Sequence, residues 1–197
     1  MSHKSTLEAC QGCGEKVPSY DIVNVGSADR SYRHLCTQCF NAEMARTHGL
    51  ENFENFRLDQ IVLSDVKGKA HEFHFRTHLF GAMVSLEAFE LKRGLPSGYQ
   101  FQILGDPDEE ILSLLARLIE RMRRALAVKH LKKGKYGLQI ADQTVRGRIG
   151  SDAQSGVRTP MLTIDGQEIS WEEFGRMLTT FEGWQFRMEI ADRSEEV

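Results

Sequence analysis

The chain has 197 residues, 41% of them hydrophobic, and a formal net charge of −3. That length holds one medium domain or two small ones, and the apolar share supports a buried core, which excludes a disordered chain. The slightly acidic balance argues against a generally basic nucleic-acid binder, and no apolar run approaches the ~20 residues that a membrane-spanning helix needs.

Met1 to Glu8 is polar and lacks an apolar h-region, so no secretory leader is expected and the cytoplasm is the default compartment. The chain's four cysteines follow as two CxxC pairs, Cys10-Gln11-Gly12-Cys13 and Cys36-Thr37-Gln38-Cys39. Two such pairs about twenty residues apart offer four thiolates to one tetrahedral ion, for which Zn²⁺ is the usual occupant. Two other uses stay open. Disulfides are one, although a reducing cytosol disfavours them. A redox-active CxxC is the other, although that motif ordinarily sits at a helix start beside a βαβ pattern.

Gly12 and Gly14 flank Cys13 and permit the tight turn of a knuckle, in which backbone N–H groups point at sulfur. Tyr20 to Val25 and Tyr32 to Leu35 read as a short β-hairpin with its turn near Gly26-Ser27-Ala28-Asp29. Phe40 to Arg46 is good helix material, and Gly49 is a natural stop. The second pair therefore opens a helix, whose free N–H groups and dipole suit thiolates. Knuckle, hairpin and knuckle at a helix start resemble a treble clef more than a zinc ribbon. With Cys at all four positions the site is closed, hence structural.

The middle of the chain reads as α+β. Ile61 to Leu63 is an apolar run, and Ser64 to Lys69 carries turn signals. From His71 to Phe80 the residues alternate, with His71, Phe73, Phe75, Thr77 and Leu79 on one face and Glu72, His74, Arg76, His78 and Phe80 on the other, as in a strand with one apolar face. Gly81 to Leu91 is ambiguous between strand and helix, with strand preferred. A loop at Gly94-Leu95-Pro96-Ser97-Gly98 precedes alternation at Tyr99, Phe101 and Ile103. Asp106 as N-cap, Pro107 at the first helical position and Glu109 closing a capping box start a long helix, apolar at Ile111, Leu114, Leu118, Met122 and Leu126. It is expected to run to about Leu131 and to end at Gly134.

Leu138–Ile140 and Val145–Ile149 read as short strands, and Gly150–Arg158 as a mobile loop. Met161 to Ile164, the Asp165-Gly166 turn and Glu168-Ile169 form a hairpin. Ser170 and Glu173 then cap a helix with Phe174, Met177, Leu178 and Phe181 on its apolar face, ended by Gly183. Trp184, Phe186, Met188 and Ile190 alternate strictly with Gln185, Arg187 and Glu189, which predicts a half-buried strand of the main sheet, with Trp171 and Trp184 as core anchors. The whole is α+β: a zinc-binding module over 1–50, an α+β domain with the long helix over 51–133, and a hairpin-helix-strand segment over 134–197 packed on the same core.

Two stretches, Tyr32 to Asn41 with Lys67 to Phe73, and Ile164 to Leu178 leading into Phe181 to Phe186, resemble an uncharacterised bacterial family that pairs an N-terminal zinc module with a C-terminal α+β segment. The resemblance implies a bacterial cytoplasmic protein and supports zinc. It supplies no reaction and no catalytic residues.

Three functions fit. The first is a non-enzymatic module that docks on protein or nucleic acid. The second is nucleic-acid binding through the stretch Arg121 to Lys135, which holds no acid, by Arg121, Arg124, Lys129, Lys132 and Lys133 with help from Arg146, Arg148 and Arg158. A solvated helix face with dipole-compatible charge explains the same pattern. The third is a metal-dependent hydrolase or nuclease using His71, His74 and His78. HExxH, GxSxG and Walker A motifs are absent, and on one strand His74 and His78 lie about 13 Å apart while His71 faces the other way.

Overall fold

The computed structural model describes residues 6–26, 32–135, 137–151 and 159–195, and over them the chain is a mixed α+β structure. Strand β1 (Leu7–Ala9) pairs antiparallel with β2 (Lys16–Pro18) across the first CxxC turn, a hairpin too short to leave a periodic signal in the sequence. A 3-10 turn at Ser19–Asp21 leads to β3 (Ile22–Val25), which pairs with β4 (Arg33–Cys36). The turn expected at Ser27–Asp29 lies outside the described residues. Helix α1 (Thr37–His48) starts directly after β4 and stops at Gly49, whose φ of 69° is the left-handed conformation that glycine adopts without strain. Cys10, Val17, Leu35 and Cys36 are the buried centre of this unit.

Four strands follow as an antiparallel meander: β5 (Ile61–Ser64), β6 (Ala70–Phe80), β7 (Met83–Lys92) and β8 (Leu95–Gly105). The expected alternation of β6 holds, with His71, Phe73, Thr77 and Leu79 buried. The ambiguous segment is β7, and the reason for the ambiguity is visible. Val84 to Phe89 are buried on both faces, so the period-two signal disappears. The loop expected at 94–98 shrinks to a two-residue turn at Arg93 and Gly94, both with positive φ, and Leu95 already belongs to β8. Pro96 is tolerated because β8 lies at the sheet edge. Gly98 sits at the β-bulge opposite Glu90, where a Cβ would run into the Glu90 carboxylate.

Helix α2 (Ile111–Leu126) covers one face of this sheet with Ile111, Leu114, Leu118, Met122 and Leu126, against Phe73, Leu79, Val84, Leu86 and Ala88. Its N-cap is Glu110, not Asp106. Asp106 instead closes a separate turn, its Oδ1 accepting the Asp108 N–H at 2.9 Å. The helix also ends five residues before the expected Leu131. The cause is tertiary. The Leu126 carbonyl accepts the Val66 N–H at 3.0 Å, and the N–H groups of His130 and Leu131 donate to the Asp165 carboxylate at 3.1 and 2.8 Å. A continuing helix would have kept those donors for itself.

Residues 131–134 are therefore β9 (Leu131–Gly134), paired with β10 (Gly137–Ile140). Then come β11 (Arg148–Ser151), β12 (Pro160–Ile164) and β13 (Gln167–Ser170), a three-stranded antiparallel sheet. Gly150 belongs to β11, and the rest of the expected mobile loop, 152–158, lies outside the described residues. Asp165 (φ 53°) and Gly166 (φ 73°) form the predicted two-residue turn. Helix α3 (Trp171–Leu178) is capped as predicted, Ser170 Oγ accepting the Glu173 N–H at 3.1 Å. Leu131, Ile140, Ile164, Ile169 and Met177 form an apolar cluster of their own, so this segment does not share the core under α2.

The expected last strand is not formed. Residues 184–190 form no helix and pair with no strand among the described residues, and Trp184, Phe186, Met188 and Ile190 are exposed. Trp171 is exposed as well, so neither tryptophan anchors a core. Alternation reports that a segment is able to form a strand; it does not supply the strand beside it. Among the described residues no helix is long and apolar enough to cross a membrane.

Candidate metal centre

The first CxxC occupies the turn between β1 and β2. The Cys10 N–H donates to the Glu15 carbonyl at 2.8 Å and the Gly14 N–H to the Cys10 carbonyl at 2.9 Å, with Gly14 at φ 79°. The second CxxC spans the junction of β4 and α1: Cys36 is the helix N-cap and Cys39 lies in the first turn. Gln11 joins the two. Its N–H donates to the His34 carbonyl at 2.8 Å, and its Oε1 accepts the His34 N–H at 2.9 Å.

These contacts bring the sulfurs of Cys10, Cys13, Cys36 and Cys39 within 4.8 Å of one another, with Cys13 and Cys36 at 3.9 Å. A tetrahedral ion with metal–sulfur bonds of about 2.3 Å sets its sulfurs about 3.8 Å apart. All four cysteines are free thiols. The donor set thus fits a soft or borderline cation. Among the described residues it is the one group of His, Cys, Asp or Glu side chains close enough to hold a metal ion. Gly12 is fixed by this packing, since a Cβ there would lie 3.0 Å from Cys39 Sγ.

Cys10 and Cys36 are buried, Cys39 is half-buried and Cys13 is exposed. Burial pushes the Cys10 thiol up, but the N–H groups of Cys36, Cys13 and Gly12 outweigh it and lower its pKa to about 6. Burial holds the Cys36 and Cys39 thiols above the usual range; the Cys10 and Cys13 sulfurs add to this in both, Cys36 also raises Cys39, and Cys39 partly offsets it in Cys36. A cation at the centre removes that penalty, because it turns mutual repulsion of thiolates into attraction.

The unit is joined to the main sheet through α1. Because β5 pairs only with residues 70–73 of β6, the rest of that edge is open to α1. The buried Asn41 fills it, Nδ2 donating to the Thr77 carbonyl at 2.7 Å and Oδ1 accepting the Leu79 N–H at 2.9 Å. On the face away from α2, Arg76 Nη1 donates to the Tyr20 carbonyl at 2.7 Å, while its Nε donates to the buried Glu87 at 2.9 Å. Phe40 packs edge-on against His78, and Tyr20 against Phe89.

Three families of uncharacterised domains cover this chain. Each is described as a domain of unknown function: DUF7685 matches residues 9–51, DUF7686 residues 54–127 and DUF7713 residues 130–195. No curated protein and no solved structure matches the chain. The cysteine cluster falls within the DUF7685 match, and Asn41 joins that stretch to the β6 edge within the DUF7686 match.

Of the other residues singled out in the sequence, His71 and Lys129 meet on the Asp65 carboxylate, and the rest lie apart. His71 is buried in the core, its Nε2 3.3 Å from Asp65 Oδ2 and its Nδ1 2.8 Å from Glu90 Oε1. His74 pairs with Glu72 at 3.1 Å on the opposite face. Burial lowers the pKa of His78 to about 4, helped by Arg76 and Arg193 and opposed by Glu87. The basic stretch is divided as well. Arg121 donates to the carbonyls of Gln102 and Ser194, both at 2.8 Å, and Arg124 lies 3.4 Å from Glu120. Lys129 points inward, 2.8 Å from Asp65 Oδ2 and 2.9 Å from the Tyr99 hydroxyl. Lys132 and Lys133 project from opposite faces of β9, with Lys132 Nζ on the Ala141 carbonyl at 3.3 Å.

Sequence reasoning missed the buried group Asp65, His71, Glu90, Tyr99 and Lys129. Only Asp65 left a local trace, its Oδ1 accepting the N–H groups of Lys67 and Lys69 in a turn of the kind that the Asp-x-Lys-Gly run signals.

Proposed function

We propose that this chain is a non-enzymatic interaction module in which Zn²⁺, held by Cys10, Cys13, Cys36 and Cys39, keeps the N-terminal unit folded against the sheet. The cluster of four sulfurs within 4.8 Å carries the reading. Four protein thiolates fill a tetrahedral shell and leave no position for water or substrate, so the ion contributes folding energy rather than chemistry. A knuckle, a hairpin and a second knuckle at a helix start are the parts of a treble clef.

A protein is the favoured partner, in the cytoplasm. Large apolar side chains stand in solvent at Leu7, Tyr32, Phe56, Trp171 and along 184–190, whereas two of the five basic residues considered for phosphate contact, Arg121 and Lys129, are committed inside the fold. Nucleic acid is the second reading, supported by the exposed Lys132 and Lys133 on the β9–β10 hairpin.

Elemental analysis of the purified chain should give one zinc per chain, lost in Cys36→Ser. Hydrogen exchange with and without chelator should show loss of protection up to about Gly49 while α2 keeps its own. A metal-free, folded wild type with disulfide-linked cysteines would overturn the proposal. For the partner, binding to DNA or RNA that falls steeply with salt and weakens on charge reversal at Lys132 and Lys133 would favour nucleic acid. No binding at low salt would leave protein.

A further inference from the structure

Residues 184–190 form no helix or strand, and the segment is fixed at both ends. At the first, the Trp184 ring packs on Phe181 with centroids 5.6 Å apart, and the Trp184 N–H donates to the Phe181 carbonyl at 3.0 Å. Beyond the second, Arg193 pairs with the buried Glu87 of β7, and Arg121 of α2 holds the carbonyls of Ser194 and Glu195. Between these anchors Trp184, Phe186, Met188 and Ile190 are 62, 89, 62 and 71% exposed. Gln185, Arg187 and Glu189 alternate with them, and Arg187 and Glu189 lie 3.7 Å apart. A tethered segment with strand-like alternation, exposed apolar side chains and no paired neighbour among the described residues is able to pair with another strand.

We propose that residues 186–190 pair antiparallel with the same residues of a second copy of this chain, about a two-fold axis at Met188. The charges select this occupant and this register. Directly opposed residues of an antiparallel pair share a face. With the axis at Met188, Arg187 of one copy stands opposite Glu189 of the other, twice, while Phe186 stands opposite Ile190 and Met188 opposite itself. An axis at Arg187 opposes two arginines, and an axis at Glu189 opposes two glutamates. An axis between residues sets apolar side chains against charged or polar ones. An axis at Phe186 also matches apolar side chains but sets Arg187 opposite Gln185, so only the axis at Met188 pairs the opposite charges as well, and that register is self-complementary, as a two-fold interface requires.

Large apolar side chains bury about 150–250 Å² each at most. Three on each copy (Phe186, Met188 and Ile190) give at most roughly 1,000 Å² in total, at the lower bound of a specific interface. The expected dimer is weak, with a Kd on the order of 1–100 µM.

Sedimentation equilibrium of the full chain from about 1 to about 200 µM reads this directly. The wild type should dimerise reversibly. Met188→Lys should be monomeric throughout, and because Met188 is exposed it should keep the wild-type melt. Arg187→Glu and Glu189→Arg each oppose like charges across the axis and should weaken association by roughly tenfold or more. The double variant carrying both changes restores opposite pairs and should regain most of the affinity. A wild type that stays monomeric at about 200 µM would overturn the proposal, as would a double variant no better than its parents.

Discussion

Asn41 holds Leu79 by its backbone: the Asn41 amide oxygen accepts the Leu79 N–H at 2.9 Å, from a residue two positions beyond Cys39. The same amide donates to the Thr77 carbonyl, so one side chain on α1 takes the place of a missing strand beside β6. The helix that supplies a metal-ligating cysteine is thereby bound to the sheet edge by groups that water cannot reach.

Asn41→Ala leaves a buried donor and a buried acceptor without partners, and is expected to cost about 2–4 kcal/mol in urea unfolding. Asn41→Asp should be worse than alanine near neutral pH. It keeps the Leu79 contact but sets a carboxylate oxygen against the Thr77 carbonyl. Equal stability of all three proteins would show that the edge contact is incidental.

Gly12 is expected to be intolerant of alanine for steric reasons, since a Cβ would meet Cys39 Sγ and Cβ at 3.0 and 3.2 Å and Leu35 Cδ2 at 3.3 Å. Overpacking of this kind costs about 1–3 kcal/mol, which converts to roughly 5- to 150-fold weaker zinc retention. Competition with a chromophoric chelator measures it. Gly175→Ala is the control, because no atom lies within 4 Å of a Cβ there.

Lys129→Met should destabilise the fold more than Arg124→Met. Lys129 neutralises the buried Asp65, and its ammonium is the main reason that the Asp65 carboxyl is held well below the usual carboxylate range. A group depressed in the folded state contributes stability above its unfolded pKa of about 3.9, and that stability is lost as pH falls. Without the ammonium the Asp65 depression shrinks, so Lys129→Met should have a lower Tm at neutral pH and lose less of it as pH falls below about 4 than wild type does, whereas Arg124→Met, whose exposed pair with Glu120 is worth little, should keep the wild-type profile.

His78 sets a second pH window. Its pKa is lowered to about 4 by burial, so the folded state resists a proton that the unfolded chain accepts near 6.5. Its contribution is intact above about 6.5 and is lost as pH falls towards 4. His78→Gln should flatten that part of the stability profile, with a difference on the order of 1–3 kcal/mol between pH 7 and pH 4. Parallel profiles for the two proteins would show that His78 is solvated.

Features decided within a few residues are legible in the sequence alone. The cysteine spacing, the Gly49 stop, the Asp165-Gly166 turn and the Ser170 cap bonded to Glu173 rest on short-range geometry that the residues state directly. The alternation of β6 is legible too, because one of its faces is apolar and the other mixed. Tertiary structure decides the rest. The long helix stops at Leu126 because Val66 and Asp165, which lie 60 and 39 residues away in the chain, take up the backbone around its expected last turn. Strand β7 hides its period because both its faces are covered, and the basic stretch dissolves because Lys129 finds Asp65 in the core. Residues 184–190 carry the clearest strand pattern in the chain and form no strand with it. Periodicity records which face a segment would bury, while burial itself needs a second surface, and that surface is set by contacts far away in sequence or on another molecule.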